Sequence, residues 1–147
     1  WEAARTALVL VEPGTTAGYA RVLEARAQVV ALGGRTVAPC PHDAPCPMQP
    51  PDWCHVPVRL ERSRLHQQLK GASVGFEDEK IAYVVMAREG AISRADARVV
   101  AHPEIHSGHV RLRLCERTGL ETRTISKRQG ERYRRARRAK WGDALDA

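Results

Sequence analysis

The sequence predicts an α/β lobe followed by a small β-plus-helix tail. Three observations lead there. An apolar run, Thr6-Ala-Leu-Val-Leu-Val11, precedes an amphipathic helical stretch and a short β-branched segment. A proline-rich loop then presents three of the four cysteines. Finally, the whole excess of positive charge lies in an arginine-rich tail.

Residues 6–11 are apolar almost throughout, the pattern of a strand buried on both faces in a parallel sheet. Glu12-Pro13-Gly14 ends the run as a turn. Thr15 or Thr16 suits the N-cap of a helix over residues 17–32. In that helix Val22, Ala25, Val29 and Leu32 share one face, with Arg21, Glu24 and Arg26 largely off it. Gly33-Gly34 stops the helix. Residues 35–38 form a second strand, so strand, helix and strand make a βαβ unit.

The second strand runs into the cysteine loop, residues 39–55, at the end of the sheet where open α/β folds place ligands. Residues 58–69 read as a polar, basic helix closed by Lys70-Gly71. Glu77-Asp78-Glu79 reads as a solvated turn before a strong strand over 81–86. Residues 88–96 form a linker. Residues 97–101 and 109–115 read as paired strands, with a turn at Thr118-Gly119 and a third strand over 121–125. Ser126 is the expected N-cap of a last helix reaching about Lys140. The chain thus divides into a lobe, residues 1–88, and a tail, residues 89–147.

The chain has 147 residues, 43% of them hydrophobic and 5% aromatic, enough for one domain core or one lobe of a larger fold. No apolar run approaches the roughly 20 residues that span a bilayer. The opening Trp-Glu-Ala-Ala-Arg has neither a basic leader nor an apolar core, so no signal peptide is expected. It also lacks Met, which suggests a processed, trimmed or partial chain. Of the net charge of +7, residues 111–140 carry twelve Lys/Arg against three Asp/Glu, a balance of +9. Residues 1–110 carry twelve of each and the last seven residues contribute −2.

The cysteines follow the spacing Cys40-x5-Cys46-x7-Cys54, with Cys115 far downstream. Five of the nine prolines lie between Cys40 and Cys54, so this segment is a rigid loop. Three thiols on a rigid loop suggest a metal site, and Cys115 is the remaining thiol ligand. Structural zinc sites usually open with a closer pair. Iron–sulfur clusters tolerate wider spacing, and proline often follows their cysteines, as it does Cys40 and Cys46. One cofactor would then pin the tail to the lobe. Inert buried thiols or disulfides are the alternatives. His42 and His55 flank the loop, as zinc ligands, as donors to cluster sulfurs, or as loop histidines with backbone partners; four thiols already complete a site.

The tail cations are Lys127, Arg128, Arg132, Arg134, Arg135, Arg137, Arg138 and Lys140. Arginine outnumbers lysine, which suits bidentate phosphate contact, so nucleic-acid binding is expected there. Tyr133 and Trp141 stack on bases or anchor the helix, and the core is the better reading for Trp141. Glu12 at a strand end could line a pocket or sit on an exposed turn. No glycine-rich phosphate loop or nucleophile–base pair is evident, so no catalytic residue is assigned.

Several segments, in order, resemble the methyltransferase-like proteins associated with the small ribosomal subunit, found in mitochondria and as bacterial relatives. They are Leu8-Val-Leu-Val-Glu-Pro-Gly-Thr15, Val37-Ala-Pro-Cys-Pro-His-Asp-Ala-Pro-Cys-Pro47, Asp52-Trp-Cys-His55, Glu61-Arg-Ser-Arg-Leu-His66, Glu77-Asp-Glu-Lys80, Ser107-Gly-His-Val110 and Tyr133-Arg-Arg-Ala-Arg-Arg-Ala-Lys-Trp-Gly-Asp143. The resemblance implies the carboxyl-terminal half of a class I, Rossmann-like methyltransferase fold with the cysteine loop inserted. It implies a 4Fe-4S cluster whose ligands fall on Cys40, Cys46, Cys54 and Cys115. It also implies a factor that binds small-subunit ribosomal RNA, or a pre-ribosomal particle, during assembly or translation.

The family's amino-terminal half, with its S-adenosylmethionine loop, has no counterpart in this sequence. A missing half of the same protein is therefore an expected partner, and S-adenosylmethionine is not expected to bind this chain alone. The alternatives are an S-adenosylmethionine-dependent RNA methyltransferase and a zinc-stapled structural module. The expected location is the cytoplasm of a bacterium or the mitochondrial matrix of a eukaryote.

Overall fold

The computed structural model describes residues 1–146. Its first sheet is organised by one long strand, β4 (Phe76–Ala87). β1 (Ala7–Pro13) lies along one edge of the second half of β4, and β2 (Arg35–Ala38) along the other. β3 (Val56–Glu61) pairs with the first half. All three run antiparallel to β4. Ile81 faces Pro13 across one edge and Val56 across the other. β2 and β3 therefore follow one another along the same edge. The cysteine loop, residues 39–55, is an insertion between them, beside the Ala82–Val84 stretch of β4.

α1 (Thr16–Ala31) connects β1 to β2. The Thr15 hydroxyl caps it by accepting the Gly18 N–H at 3.0 Å. Gly33, at φ 80°, ends it, and the Gly34 N–H donates to the Val29 carbonyl at 2.9 Å. Val22 and Val29 pack on Ala82, Val84 and Met86 of β4, with Leu8 and Leu10 of β1 at the margin.

The β1 expectation needs correcting. Because β4 lies between β1 and β2, the two strands are parallel but not adjacent, and their actual pairing is antiparallel. The helix covers one face of β1, leaving Val9 and Val11 58% exposed on the other. Leu32 also departs from the expected face: it sits at the helix C-cap, 65% exposed, while Arg26 points inward.

The helix expected over residues 58–69 is only α2 (Arg64–Lys70), capped by Ser63 and ended by Gly71 at φ 59°. Its predicted first half is β3. The acidic run expected as a turn is instead the first half of β4. The two corrections share one cause. Arg59 meets Asp78 across the strands in a bidentate pair at 2.7 Å, and Arg62 meets Glu77 at 3.0 Å. Charged side chains opposite one another stabilise a ribbon that shows little hydrophobic alternation.

The second sheet is built on β7 (His109–Glu116). β8 (Gly119–Ser126) pairs along one edge, and β5 (Ala97–Val99) and β6 (Glu104–Ile105) share the other, with β9 (Ala144–Leu145) outside β5. The expected pairing of residues 97–101 with 109–115 is present. α3 (Glu131–Arg138) lays Tyr133 and Ala136 on Val110, Leu112 and Leu114 of β7. The expected long helix from Ser126 is broken. Residues 127–129 form a 3₁₀ turn, and Gly130 at φ 54° separates it from α3. The Gln129 side chain accepts the Ser126 N–H at 2.7 Å. No helix among the described residues is long and apolar enough to cross a membrane.

Alternation along β7 divides its work. Val110, Leu112 and Leu114 face α3, while Arg111, Arg113 and Cys115 take the opposite side. The loop residue Met48 joins Val100 and Cys115 in a further cluster, with Tyr19, Cys46, Cys54 and Leu120 packed against it.

Leu112 is fully buried. Leu112→Ala should lower unfolding free energy by roughly 2–5 kcal/mol, read from the denaturant midpoint. Val9→Ala, on the exposed face, should stay within about 0.5 kcal/mol.

Candidate metal centre and basic face

The prolines of the 39–55 loop remove N–H groups but keep every carbonyl. The loop therefore carries more acceptors than its own backbone can satisfy, and arginines supply the donors. Arg26, on α1 and only 5% exposed, donates from Nη2 to the carbonyls of His42 at 2.7 Å and Ala44 at 2.9 Å. Its Nε donates to Thr36 Oγ1 at 3.0 Å. Arg94 donates to the carbonyls of Thr36 at 2.6 Å and Pro41 at 3.4 Å, and pairs with Asp43 at 2.6 Å. Arg98, on β5, bridges the Pro39 carbonyl at 3.1 Å and the Gly142 carbonyl at 3.0 Å.

Within this frame the structure brings together the four predicted thiols. Cys40, Cys46, Cys54 and Cys115 line one cleft of about 260 Å³, counting its open mouth, with Met48, Val100 and Leu120. On their far side Cys40, Cys46 and Cys54 also line a second cleft against Tyr19, Val22 and Tyr83. All four are free thiols. Among the described residues, no three His, Cys, Asp or Glu side chains gather closely enough to hold a single ion. A tetrahedral ion with arms of about 2.3 Å would need its sulfurs about 3.8 Å apart. A four-iron cage takes its thiolates at the corners of a larger body. Four thiols around a common cleft are the donor set that a four-thiolate cluster takes.

Burial raises the thiols: Cys40 to about 11, Cys115 to about 12, and Cys54 further still. Neighbouring cysteines add to this, because each thiolate disfavours the next. Nearby Arg26 and Arg98 pull Cys40 in the opposite direction. Four thiolates around a core of charge two would carry about −2 in all. The guanidiniums of Arg26, Arg94 and Arg98 supply positive charge against this, while Asp43 and Glu116 act in the opposite sense.

Polar groups also reach the sulfurs. The Tyr19 hydroxyl lies 3.1 Å from Cys46 Sγ. His42 donates from Nδ1 to the Ala44 carbonyl at 3.2 Å, which leaves Nε2 3.6 Å from Cys115 Sγ. Burial and Arg26 hold His42 below its usual range. His55 is not at the sulfurs. It lies between the Trp53 and Trp141 rings, at 5.0 and 4.7 Å, and donates from Nδ1 to the Trp53 carbonyl. Trp141 is half-buried and packs on the His55 and His102 rings, outside the apolar core clusters. The Trp53 indole N–H donates to the Gly14 carbonyl at 2.9 Å, tying the loop to the turn after β1. Arg113 of β7 meets Asp52 at 2.9 Å.

The basic tail is exposed at Lys127, Arg128, Arg132, Arg134, Arg135, Arg137, Arg138 and Lys140. Arg134 meets Glu131 at 3.3 Å, and Arg137 lies over the Tyr133 ring. Tyr133 is 6% exposed and belongs to the core, so it offers no ring for base stacking.

The residues missed from sequence are Tyr19, Arg26, Arg94 and Arg98. A signal existed for Arg26: it follows Val22 by four and precedes Val29 by three, on the apolar stripe itself. The general signal was the loop's surplus of carbonyls.

Two outcomes follow from the clamp. Arg26→Met should cost roughly 2–5 kcal/mol, since it strands two carbonyls, and should raise amide exchange in residues 36–46. Asp43 supplies a pH test. Burial pushes its carboxyl up, but hydrogen bonds from Arg94 and Thr36 outweigh this and hold it below the ordinary range. Its contribution is present above the unfolded pKa and lost as pH falls through the folded one. Asp43→Asn should therefore be less stable than wild type at pH 7, with the gap closing at acid pH in urea titrations.

The family model described as mitochondrial small ribosomal subunit Rsm22 matches residues 1–146. Among curated proteins, the Homo sapiens protein named ribosome assembly protein METTL17, mitochondrial, is 29% identical over 159 residues, an alignment that covers 99% of this chain and 34% of the relative. The chain spans about a third of that relative's length.

Proposed function

The chain belongs to the mitochondrial small ribosomal subunit Rsm22 family, and from that premise we propose that it is the cluster-stapled, RNA-contacting part of a small-subunit assembly factor. One observation carries the proposal: three thiols of the loop and one of β7 line one cleft, held by arginines that donate to the loop's carbonyls. Cys40, Cys46, Cys54 and Cys115 would hold a 4Fe-4S cluster. When bound, it supplies four metal–sulfur bonds that join β7 to the loop. The surrounding residues orient the thiols, compensate their charge and exclude water.

The RNA contact rests on the exposed cations of the 3₁₀ turn and α3, facing small-subunit ribosomal RNA or a pre-ribosomal particle. Their arginines present planar forks suited to phosphate. The matched relative's name, a ribosome assembly protein, supports the same assignment. The finer fold reading is a Rossmann-like methyltransferase half: α1 joins two parallel strands, and the loop leaves the carboxyl end of the second. RNA methylation is the second reading. It requires an S-adenosylmethionine site from beyond these residues, and calorimetry on a longer chain tests it. A mitochondrial matrix location fits a eukaryotic source, and the cytoplasm a bacterial one.

The decisive test is iron, acid-labile sulfide and zinc content after anaerobic purification. About four irons with matching sulfide per chain is the expected result; about one zinc would replace the cluster by an ion site. Anaerobic Cys115→Ser should lose the visible absorption and loosen residues 97–146 in hydrogen exchange. For RNA, replacing Arg128, Arg132, Arg135 and Arg138 by Ala should reduce the salt slope of binding by about 0.7 per lost single-strand phosphate contact. An unchanged slope would place the contact elsewhere.

A further inference from the structure

The second cleft, on the α1 side of the cysteines, is lined by one hydroxyl-bearing ring that reaches a sulfur. Tyr19 stands one turn into α1, where its backbone N–H donates to the Thr15 carbonyl at 2.9 Å. Its ring packs against both the α1–β4 core and the cluster containing Met48, Val100 and Cys115. Its hydroxyl lies 3.1 Å from Cys46 Sγ, and the cleft places it beside Cys40 and Cys54 as well. We propose that Tyr19 is a positioning residue that donates its hydroxyl proton in a hydrogen bond to the Cys46 sulfur and thereby sets the reduction potential and lifetime of the bound cluster. The proposal rests on the cluster reading above.

The direction of the bond follows from the chemistry of the two groups. A thiolate bound to metal has no proton and can only accept. A neutral phenol has one proton and can give it. Hydrogen bonds to cluster sulfurs favour the more negative, reduced state, so they raise the potential. They also shield the sulfur's lone pairs from oxidants. The ring stands on a capped helix and packs against two cores, which holds the hydroxyl at the sulfur. His42 is the corresponding neighbour at Cys115, but its Nδ1–H is already given to the Ala44 carbonyl. In the second cleft it is the Tyr19 hydroxyl that donates to a cysteine sulfur.

The test compares anaerobically purified or reconstituted wild type with Tyr19→Phe, which keeps the ring and its packing and deletes only the hydroxyl. Four quantities are read: iron and sulfide content, midpoint potential by dithionite titration, the rate of absorbance loss in air, and the deuterium sensitivity of the Fe–S(Cys) Raman bands. Equal iron and sulfide in both proteins is expected. The variant should show a lower potential, roughly tenfold faster loss in air, the scale of one hydrogen bond to a charged group, and loss of part of the deuterium shift. An unchanged potential, lifetime and deuterium shift would overturn the role of Tyr19 and leave the cluster reading standing. A wild type without iron and sulfide after reconstitution would overturn the cluster reading and, with it, this proposal.

Discussion

The feature on which the rest of the structure depends is a surplus of backbone acceptors. A cysteine loop rich in proline loses many of its N–H groups but none of its carbonyls. Buried, those carbonyls need donors from elsewhere. Arg26 comes from α1, Arg94 from the segment before β5, and Arg98 from β5 itself. Each guanidinium is a rigid fork that can satisfy two carbonyls at once, which a lysine cannot do as well. The same three contacts fix the loop, fix its distance from both sheets, and place positive charge behind the thiols.

The sheet provides a place for that loop without being broken by it. β2 and β3 lie in line along one edge of β4, so the intervening residues can leave and rejoin the edge while β4 continues unbroken. The β1 side of β4 is unaffected. On the other side, alternation in β7 gives one face to α3 and the opposite face to Cys115 and Arg113. The thiol and the Arg113–Asp52 pair thus meet the loop together. The column of Trp53, His55 and Trp141 makes a further junction. Loop and tail are therefore connected by packing, ion pairs and hydrogen bonds, to which a cofactor would add covalent bonds.

Positive charge serves two purposes here, separated by burial. Arg26, Arg94 and Arg98 are turned inward to carbonyls and oppose the cost of charging neighbouring sulfurs. The arginines of the 3₁₀ turn and α3 are turned outward, where their charge remains available to a polyanion. Net charge alone treats the two groups alike. Only their surroundings distinguish a structural cation from one that can meet a partner.

The sequence by itself determined a good deal. The capped first helix, β2, the paired strands of the tail and the rigid loop all follow from local rules: proline fixes φ, Thr15 caps, Gly33 stops, and apolar residues alternate. What it could not determine was the neighbour of each strand. The apolar run of β1 reads as doubly buried, yet Val9 and Val11 face outward, because coverage depends on what lies across the sheet. β3 reads as helix because its stabilising partners, Asp78 and Glu77, lie well downstream. Gly130 splits the basic helix through one left-handed residue. The meeting of Cys115 with the loop, the inward turn of Arg26 and the approach of the Tyr19 hydroxyl to Cys46 are long-range matters. They were decided by the tertiary structure, since carbonyls without local donors and thiols far apart in the chain can find partners only through the fold.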